Sequence, residues 1–148
     1  MTDMPPVTAD VTELASRLRL GVTRLARKLR QKGELGVTPA LFSALSAIDR
    51  GGPMTIGELC TAEQVQPPTM TRMVAALVEA GLVAREPDAL DRRVAWVRVT
   101  REGVKLLQRS RGRKDAYLAK RMRSLEPDQL TVLEEAAGIL ERLTEGSS

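Results

Sequence analysis

The 148-residue chain lacks histidine altogether and contains a single cysteine, Cys60. Without histidine, imidazole-based acid–base catalysis and a Ser-His-Asp triad are excluded, and the usual ligands of a zinc site are missing. A single cysteine cannot form an internal disulfide, which is typical of a reducing compartment. We interpret Cys60 as a small core residue and not as a redox switch, because buried thiols are usually inert.

Long apolar runs and nucleotide-binding loops are missing as well. No stretch of about 18 apolar residues occurs, so we expect no membrane span. Residues 1–6 lack the basic and apolar parts of a secretion signal, and we expect a cytoplasmic protein. No glycine-rich phosphate loop is present, since Gly51-Gly52 fits a turn, and no pair of carboxylates stands out. We therefore expect no cofactor and no metal, and an enzyme that uses carboxylates or lysine alone stays open as an alternative.

Aromatic side chains are scarce, and basic ones are clustered. Proteins that read RNA or single strands usually stack bases on aromatic side chains, of which this chain has only three, so duplex DNA is the better partner. The formal net charge of +4 at pH 7 also favours a polyanionic partner. Between Arg17 and Lys32 there are seven basic residues and no acidic one. This basic cluster has two interpretations: its side chains contact phosphates, or they form a solvated helix face.

Apolar periodicity predicts long helices at both ends of the chain. The first runs from about residue 10 to residue 32, and its apolar stripe consists of Leu14, Leu18, Val22, Leu25 and Leu29. A second long helix is predicted over residues 101–123, after Thr100 as its cap. The last helix is predicted from Pro127 to Leu143, with an apolar stripe of Leu130, Leu133, Ala137, Leu140 and Leu143.

The middle of the chain predicts a helix–turn–helix. Thr38 before Pro39 indicates the start of a helix that runs to residue 49, and a short helix is predicted over 56–63. Pro67-Pro68 starts the next helix, whose inward face is predicted to contain Met70, Met73, Val74, Leu77 and Val78. Its outer face is small or hydrogen-bonding and consists of Thr69, Thr71, Arg72, Ala75 and Ala76. Such a pair also arises by chance in helical bundles.

Residues 82–99 predict a β-hairpin that follows this helix directly. Residues 82–85 and 93–99 are predicted to be its strands, and residues 86–92 form a polar tip. In the second strand, Arg93, Ala95, Val97 and Val99 share one face, and Val94, Trp96 and Arg98 share the other. The predicted fold class is therefore mainly α with a small β-hairpin wing (α+β), a winged helix–turn–helix between long N- and C-terminal helices. A solvated tip with charge pairs is the alternative role for the hairpin.

Four segments carry a family resemblance: PTMTRMV at 68–74, EAGLV at 79–83, PDALDRR at 87–93 and VRVTREG at 97–103. They resemble the corresponding segments of the MarR family of winged helix-turn-helix transcriptional regulators, and the likeness spans nearly the whole chain. The resemblance implies a single domain over 1–148. Within this domain, the DNA-binding lobe would consist of residues 37–100. The dimerisation helices would consist of residues 10–33 and 101–145.

The resemblance also implies which residues touch DNA. Those expected in the major groove, at the start of the recognition helix, are Gln66, Pro67, Pro68, Thr69, Thr71 and Arg72. In the wing, Arg93 matches the arginine that enters the minor groove, Arg92 would follow phosphate, and Asp91 would orient the arginines.

A homodimer is implied too, and a two-fold protein prefers palindromic double-stranded DNA with half-site centres about one helical turn apart. A small aromatic or lipophilic effector would bind a pocket lined by Arg17, Leu18, Val22 and Phe42. Peroxide-sensing and metal-sensing relatives use cysteine or histidine residues that this chain lacks. We expect a repressor that its effector releases, although activation would use the same contacts. A winged-helix protein-interaction module without DNA binding is the alternative.

Overall fold

The computed structural model describes residues 10–146, which form two compact units that divide between Lys114 and Asp115. The first unit contains α1 (Val11–Lys32), α2 (Pro39–Gly51), β1 (Met54–Thr55), α3 (Ile56–Glu63), α4 (Pro67–Glu79), β2 (Val83–Pro87), β3 (Ala95–Val99) and the first part of α5 (Arg101–Met122). The second unit contains the end of α5 and α6 (Pro127–Thr144). The predicted fold class, mainly α with a small β wing, is confirmed.

The helices begin where the sequence places their caps. The Thr38 hydroxyl accepts a hydrogen bond from the Leu41 N–H at 3.3 Å. Thr55 and Glu58 form a reciprocal capping box, in which the Thr55 hydroxyl accepts from the Glu58 N–H at 3.1 Å and the Glu58 carboxylate accepts from the Thr55 N–H at 3.2 Å. These side chains satisfy N–H groups that have no acceptor within the helix. The starts of α2 and α3 are therefore fixed by local sequence.

The sheet is antiparallel, with strand order β1-β3-β2. The wing, residues 83–99, is the hairpin of β2 and β3, in which Val83 pairs with Val99 and Pro87 with Ala95. The second strand begins at Ala95 and not at Arg93 as predicted, because the Val94 N–H donates to the Asp91 carbonyl at 3.0 Å and closes a turn.

Three further features of the sheet differ from the sequence prediction. The first wing strand ends at Pro87 and not at Arg85, because Glu86 and Pro87 still pair with Trp96 and Ala95. The first wing strand begins one residue later than predicted, because the Leu82 N–H still bonds to the Leu77 carbonyl at the end of α4. β1, which pairs Met54 with Val97, was not predicted, since two residues are too short to show an alternating pattern.

The core of the first unit is made by α2, α3, α4, the sheet and α5. Its largest fully buried apolar side chains are Leu45, Ile48, Leu59, Met70, Leu77, Leu107, Val74 and Val97. Val78 was predicted to face inward, but it is 39% exposed, because it lies beside the buried stripe of α4 and not on it. Cys60 is half-buried and packs against this core, in agreement with its structural interpretation.

Thr100 and Gly103 explain the Thr-x-x-Gly motif at the start of α5. The Thr100 hydroxyl donates to the Gly81 carbonyl at 2.6 Å and accepts from the Gly103 N–H at 3.1 Å. A Cβ atom at Gly103 would overlap the Leu82 carbonyl oxygen and lie 2.7 Å from Val99 Cγ2. The absence of a side chain at Gly103 therefore lets α5 start directly against the wing.

The first part of α5 belongs to the first unit because its apolar face is buried there. Leu106 is 5% exposed and Leu107 is fully buried. The compact unit accordingly extends to Lys114, beyond residue 100, where the DNA-binding lobe was expected to end. The dimerisation role of the terminal helices stays a prediction.

The apolar stripes of α1 and α6 are unburied in the single chain. No residue of either helix is buried. On α1, Leu14, Leu18, Val22 and Leu25 are 42–48% exposed, and on α6 the four leucines of the stripe are 37–68% exposed. Within residues 10–146, no helix has the length and apolar character needed to cross a membrane.

Candidate nucleic-acid interface

The outer face of α4 is exposed along the positions predicted to contact DNA. Met70 and Val74 are fully buried and fix the rotation of the helix about its axis. All six predicted residues are consequently exposed: Gln66, Pro67, Pro68, Thr69, Thr71 and Arg72. Periodicity predicted the outer face of Thr69, Thr71, Arg72, Ala75 and Ala76, and all five are exposed, whereas its inward placement of Val78 was wrong.

The amino end of α4 offers fewer N–H groups than a usual helix. Pro67 and Pro68 occupy its first two positions and have no N–H, and the Met70 N–H bonds to the Gln66 carbonyl at 3.0 Å. Thr69 is therefore the only residue of the first turn whose N–H has no acceptor within the helix. No side chain caps this end and no acidic residue lies in its first turn. A phosphate placed there would meet the helix dipole and the Thr69 N–H.

Arg72 lies one turn beyond Thr69 on the same face. Its Nη2 donates to the Thr69 hydroxyl at 3.5 Å, which is long for a hydrogen bond. Within the described part of the chain Arg72 forms no ion pair, so its guanidinium is available to an external acceptor. A guanidinium matches the two acceptors of a guanine edge or of a phosphate.

Asp88 holds the tip of the wing in one conformation. Its Oδ2 accepts from the N–H groups of Leu90 at 3.0 Å and Asp91 at 2.9 Å, and its Oδ1 accepts from Trp96 Nε1 at 2.8 Å. The Asp88 N–H donates to the Val94 carbonyl at 2.9 Å and closes the hairpin. The hydrogen bond from Trp96, followed by those from the two backbone N–H groups, lowers the pKa of Asp88 from its ordinary value of 3.8.

Sequence reasoning did not assign this role to Asp88. The signal that could have found it is the aspartate at the start of a tip, where Asx turns are common.

Asp91 holds Arg93 through both carboxylate oxygens. Oδ1 accepts from the backbone N–H and from Nε of Arg93, each at 3.0 Å, and Oδ2 accepts from Nη2 at 3.2 Å. The Arg93 side chain, which is 91% exposed, is the first cause of the lowered pKa of Asp91 and its backbone N–H is the second. An exposed pair of this kind contributes little to stability, but the two-point contact fixes the direction of the guanidinium. Arg92 is exposed and has no hydrogen-bond or ion-pair partner among residues 10–146.

A cavity of about 240 Å³ lies within the first unit. It is lined by Arg30, Glu34, Val37, Pro39, Phe42, Ser43, Ser46, Arg50, Ser110 and Lys114. Of the four residues predicted for an effector pocket, Phe42 lines this cavity. Arg17, Leu18 and Val22 do not line it, because they lie earlier on α1 with their side chains exposed.

Polar and cationic groups converge on this cavity. The Ser110 hydroxyl oxygen is fully buried and has no hydrogen-bond partner. Lys114 Nζ lies 4.4 Å from the centroid of the Phe42 ring, which is a cation–π contact. Arg30 and Arg50 lie in the wall. A buried hydroxyl without a partner is costly unless something bonds to it, so the cavity is suited to a small ligand with an acceptor group.

Comparison with known proteins gives one consistent family. The model of the MarR family matches residues 37–95. An HTH-type transcriptional regulator of Mycobacterium leprae is 38% identical over 135 residues, which cover 90% of this chain and 94% of that protein.

Solved structures agree with this match. A provisionally assigned transcriptional regulator of Pseudomonas aeruginosa superposes with a TM-score of 0.82 at 28% identity, over 95% of this chain and 100% of that one. A mutant of MepR from S. aureus, solved with a bound oligodeoxyribonucleotide, shares the fold with a TM-score of 0.70 at 21% identity, over 88% of this chain and 98% of that one.

Proposed function

The chain belongs to the MarR family of transcriptional regulators, and from this we propose that it binds a palindromic site in duplex DNA as a homodimer, in the cytoplasm. We further propose that the bound dimer represses transcription from this DNA site until a small effector binds to the protein. The observation that carries the DNA-binding proposal is the exposed, acid-free start of α4, followed in the same unit by a wing whose Arg93 is held outward by Asp91.

In this proposal α4 lies in the major groove. Arg72 contacts a guanine edge or the backbone, and the Thr69 side chain contacts a thymine methyl group or a phosphate. Because the two prolines remove the first N–H groups of the helix, the Thr69 N–H is the donor that this end directs to a phosphate.

The wing lies over the adjacent minor groove. Arg93 enters the groove, where A·T-rich sequence narrows it and strengthens its negative potential. Arg92, which has no partner within the described residues, follows the phosphates. Asp91 keeps Arg93 pointed outward before DNA is bound, which lowers the entropy lost on binding.

The exposed apolar stripes support the homodimer. In a dimer the stripes of α1 and α6 would be covered by those of a second copy. Their charges are complementary, since α1 has seven basic residues and no acidic one from Arg17 onward, whereas the chain after Ser124 has six acids against Arg142 alone. Apolar burial would supply the affinity, and charge would favour pairing of α1 with α6.

The cavity beside Phe42 supports the effector. The unpartnered Ser110 hydroxyl would donate to an acceptor group, the Phe42 ring would contact an aromatic ligand, and the cations of the wall would favour an anion. A repressor of this kind needs an effector that binds the DNA-free state more tightly, typically by about 1–3 kcal/mol.

DNA binding is tested by fluorescence anisotropy with overlapping short duplexes from the region upstream of the gene. Arg93→Ala should weaken specific binding by about 1–3 kcal/mol and reduce the slope of log K against log[salt] by about one unit for each phosphate that Arg93 neutralises. Arg142→Ala removes the same charge from α6 and should leave the affinity unchanged. If the wild-type protein binds no duplex even at low salt, the protein-interaction module is the better interpretation.

The homodimer is tested by sedimentation velocity on two variants of neighbouring α6 residues. Leu133→Glu places a charge on the apolar stripe and should give monomer or insoluble protein. Val132→Glu makes the same change at a residue that is 62% exposed and off the stripe, and it should stay dimeric. A soluble Leu133→Glu dimer would exclude α6 from the interface.

A further inference from the structure

Leu90 is the most exposed of the large apolar side chains in the described part of the protein, at 98%. It lies at the tip of the wing, where it follows Ala89 and is close in sequence to three charged residues, Asp88, Asp91 and Arg92. Folding buries almost none of its surface, so Leu90 contributes nothing through burial to the stability of the single chain.

The backbone at Leu90 is nonetheless held in place. Its N–H donates to Asp88 Oδ2 at 3.0 Å, and the other oxygen of Asp88 accepts from Trp96 Nε1 at 2.8 Å. The same Oδ2 binds the N–H of Asp91, whose carboxylate in turn holds Arg93. One network of hydrogen bonds therefore fixes both the Arg93 guanidinium and the backbone that carries the exposed Leu90 side chain.

We propose that Leu90 packs against the sugar wall of the minor groove at the place where Arg93 enters it. This inference rests on the DNA binding proposed above. The walls of the groove present deoxyribose C–H groups, which offer an apolar surface to a side chain at its edge. Leucine is among the apolar side chains that minor-groove proteins insert between base steps, so an apolar contact of leucine in this groove has precedent.

An apolar contact of this kind has a property that separates it from the arginine contacts. Neutralising phosphates releases counterions, so the arginine contribution falls as salt rises. Burying leucine against sugar displaces water and releases no ions. The contribution of Leu90 to the affinity should therefore stay the same as the salt concentration rises. The salt dependence therefore distinguishes Leu90 from Arg92 on the same tip.

The experiment measures the affinity of Leu90→Ala for the upstream duplex across a series of NaCl concentrations. A dimer carries two wings, so we expect binding about five- to tenfold weaker at every salt concentration, because less apolar area is buried by each wing. The slope of log K against log[salt] should equal that of the wild type. Arg92→Ala should make that slope less steep. Leu90→Met keeps a long apolar side chain, so it should retain most of the affinity that Leu90→Ala loses.

Val132→Ala is the matched control, since Val132 is an apolar residue of α6 that is 62% exposed and lies off the stripe proposed for the dimer. It should bind DNA as the wild type does. Unchanged Trp96 fluorescence in Leu90→Ala would show that the wing keeps its conformation. Wild-type affinity for Leu90→Ala, or a weaker affinity with a reduced slope, would overturn the inference about Leu90 and leave the DNA-binding proposal standing. Loss of binding by the wild type itself would instead refute the DNA-binding proposal.

Discussion

Gly103→Ala tests the packing that joins α5 to the wing. Alanine is normally the better helix former, and in an exposed helix interior it stabilises by about 1 kcal/mol relative to glycine. At Gly103 the added methyl group would overlap the Leu82 carbonyl oxygen and press on Val99 Cγ2 at 2.7 Å. Backbone cannot move aside as a flexible side chain can, so we expect the substitution to destabilise the protein.

The size of the effect follows from two contributions. Overpacking at a close contact costs about 1–3 kcal/mol. A shift of α5 away from the wing would also weaken the hydrogen bond from the Gly103 N–H to Thr100, which is 3.1 Å long, and removal of a cap costs about 1 kcal/mol. These losses exceed the gain in helix propensity, which is small at the third position of a helix. We expect the free energy of unfolding to fall by about 2 kcal/mol.

Urea unfolding followed by Trp96 fluorescence and far-ultraviolet circular dichroism measures this change. Gly112→Ala is the matched control, because Gly112 lies on the same helix with no heavy atom within 4 Å of its added Cβ. That variant should be stabilised by up to about 1 kcal/mol. Both variants are compared at equal protein concentration, since the stability of the proposed dimer would depend on it. A Gly103→Ala protein as stable as Gly112→Ala would refute the close-packing explanation of the Thr-x-x-Gly motif.

Three further outcomes are expected. Gln64 has a positive φ of 54° at the end of α3, so Gln64→Gly should raise the free energy of unfolding by about 1 kcal/mol in urea melts, whereas Gln66→Gly, at φ −69°, should not. Because folding lowers the pKa of Asp88 from 3.8, its stabilisation is present above that pH and is lost as the pH falls through the folded value. Trp96 emission should report this acid transition, and Asp88→Asn should abolish it. Ser110→Ala removes a buried hydroxyl without a partner, so thermal melts should show a ligand-free protein at least as stable as the wild type. Benzoate, an aromatic anion, should raise the melting temperature of this variant less than that of the wild type. If benzamide, which is uncharged, raised the melting temperature of the wild type as much as benzoate, recognition of the charge would be contradicted.

Local sequence determined where α2 and α3 begin and which side of α4 is its exposed outer face. Thr38 and Thr55 carry the groups that satisfy the first N–H groups of α2 and α3, and the spacing of Met70 and Val74 sets which face of α4 is buried. The segments around Gly81 and Arg93 were sufficient to indicate the family. Each of these signals depends on residues within about one or two helical turns of each other, which is why the sequence alone reveals them.

Contacts between distant residues were decided only by the tertiary structure. The sequence does not show that Asp88 joins Trp96, that two residues at Met54 add a third strand, or that Phe42 shares a cavity with Ser110 and not with Leu18. Such pairings depend on how whole elements pack. A periodic pattern shows that a side chain is buried but does not show which side chain it contacts. Sequence therefore determined which surfaces the helices and the wing present, and packing alone decided which groups hold them in place.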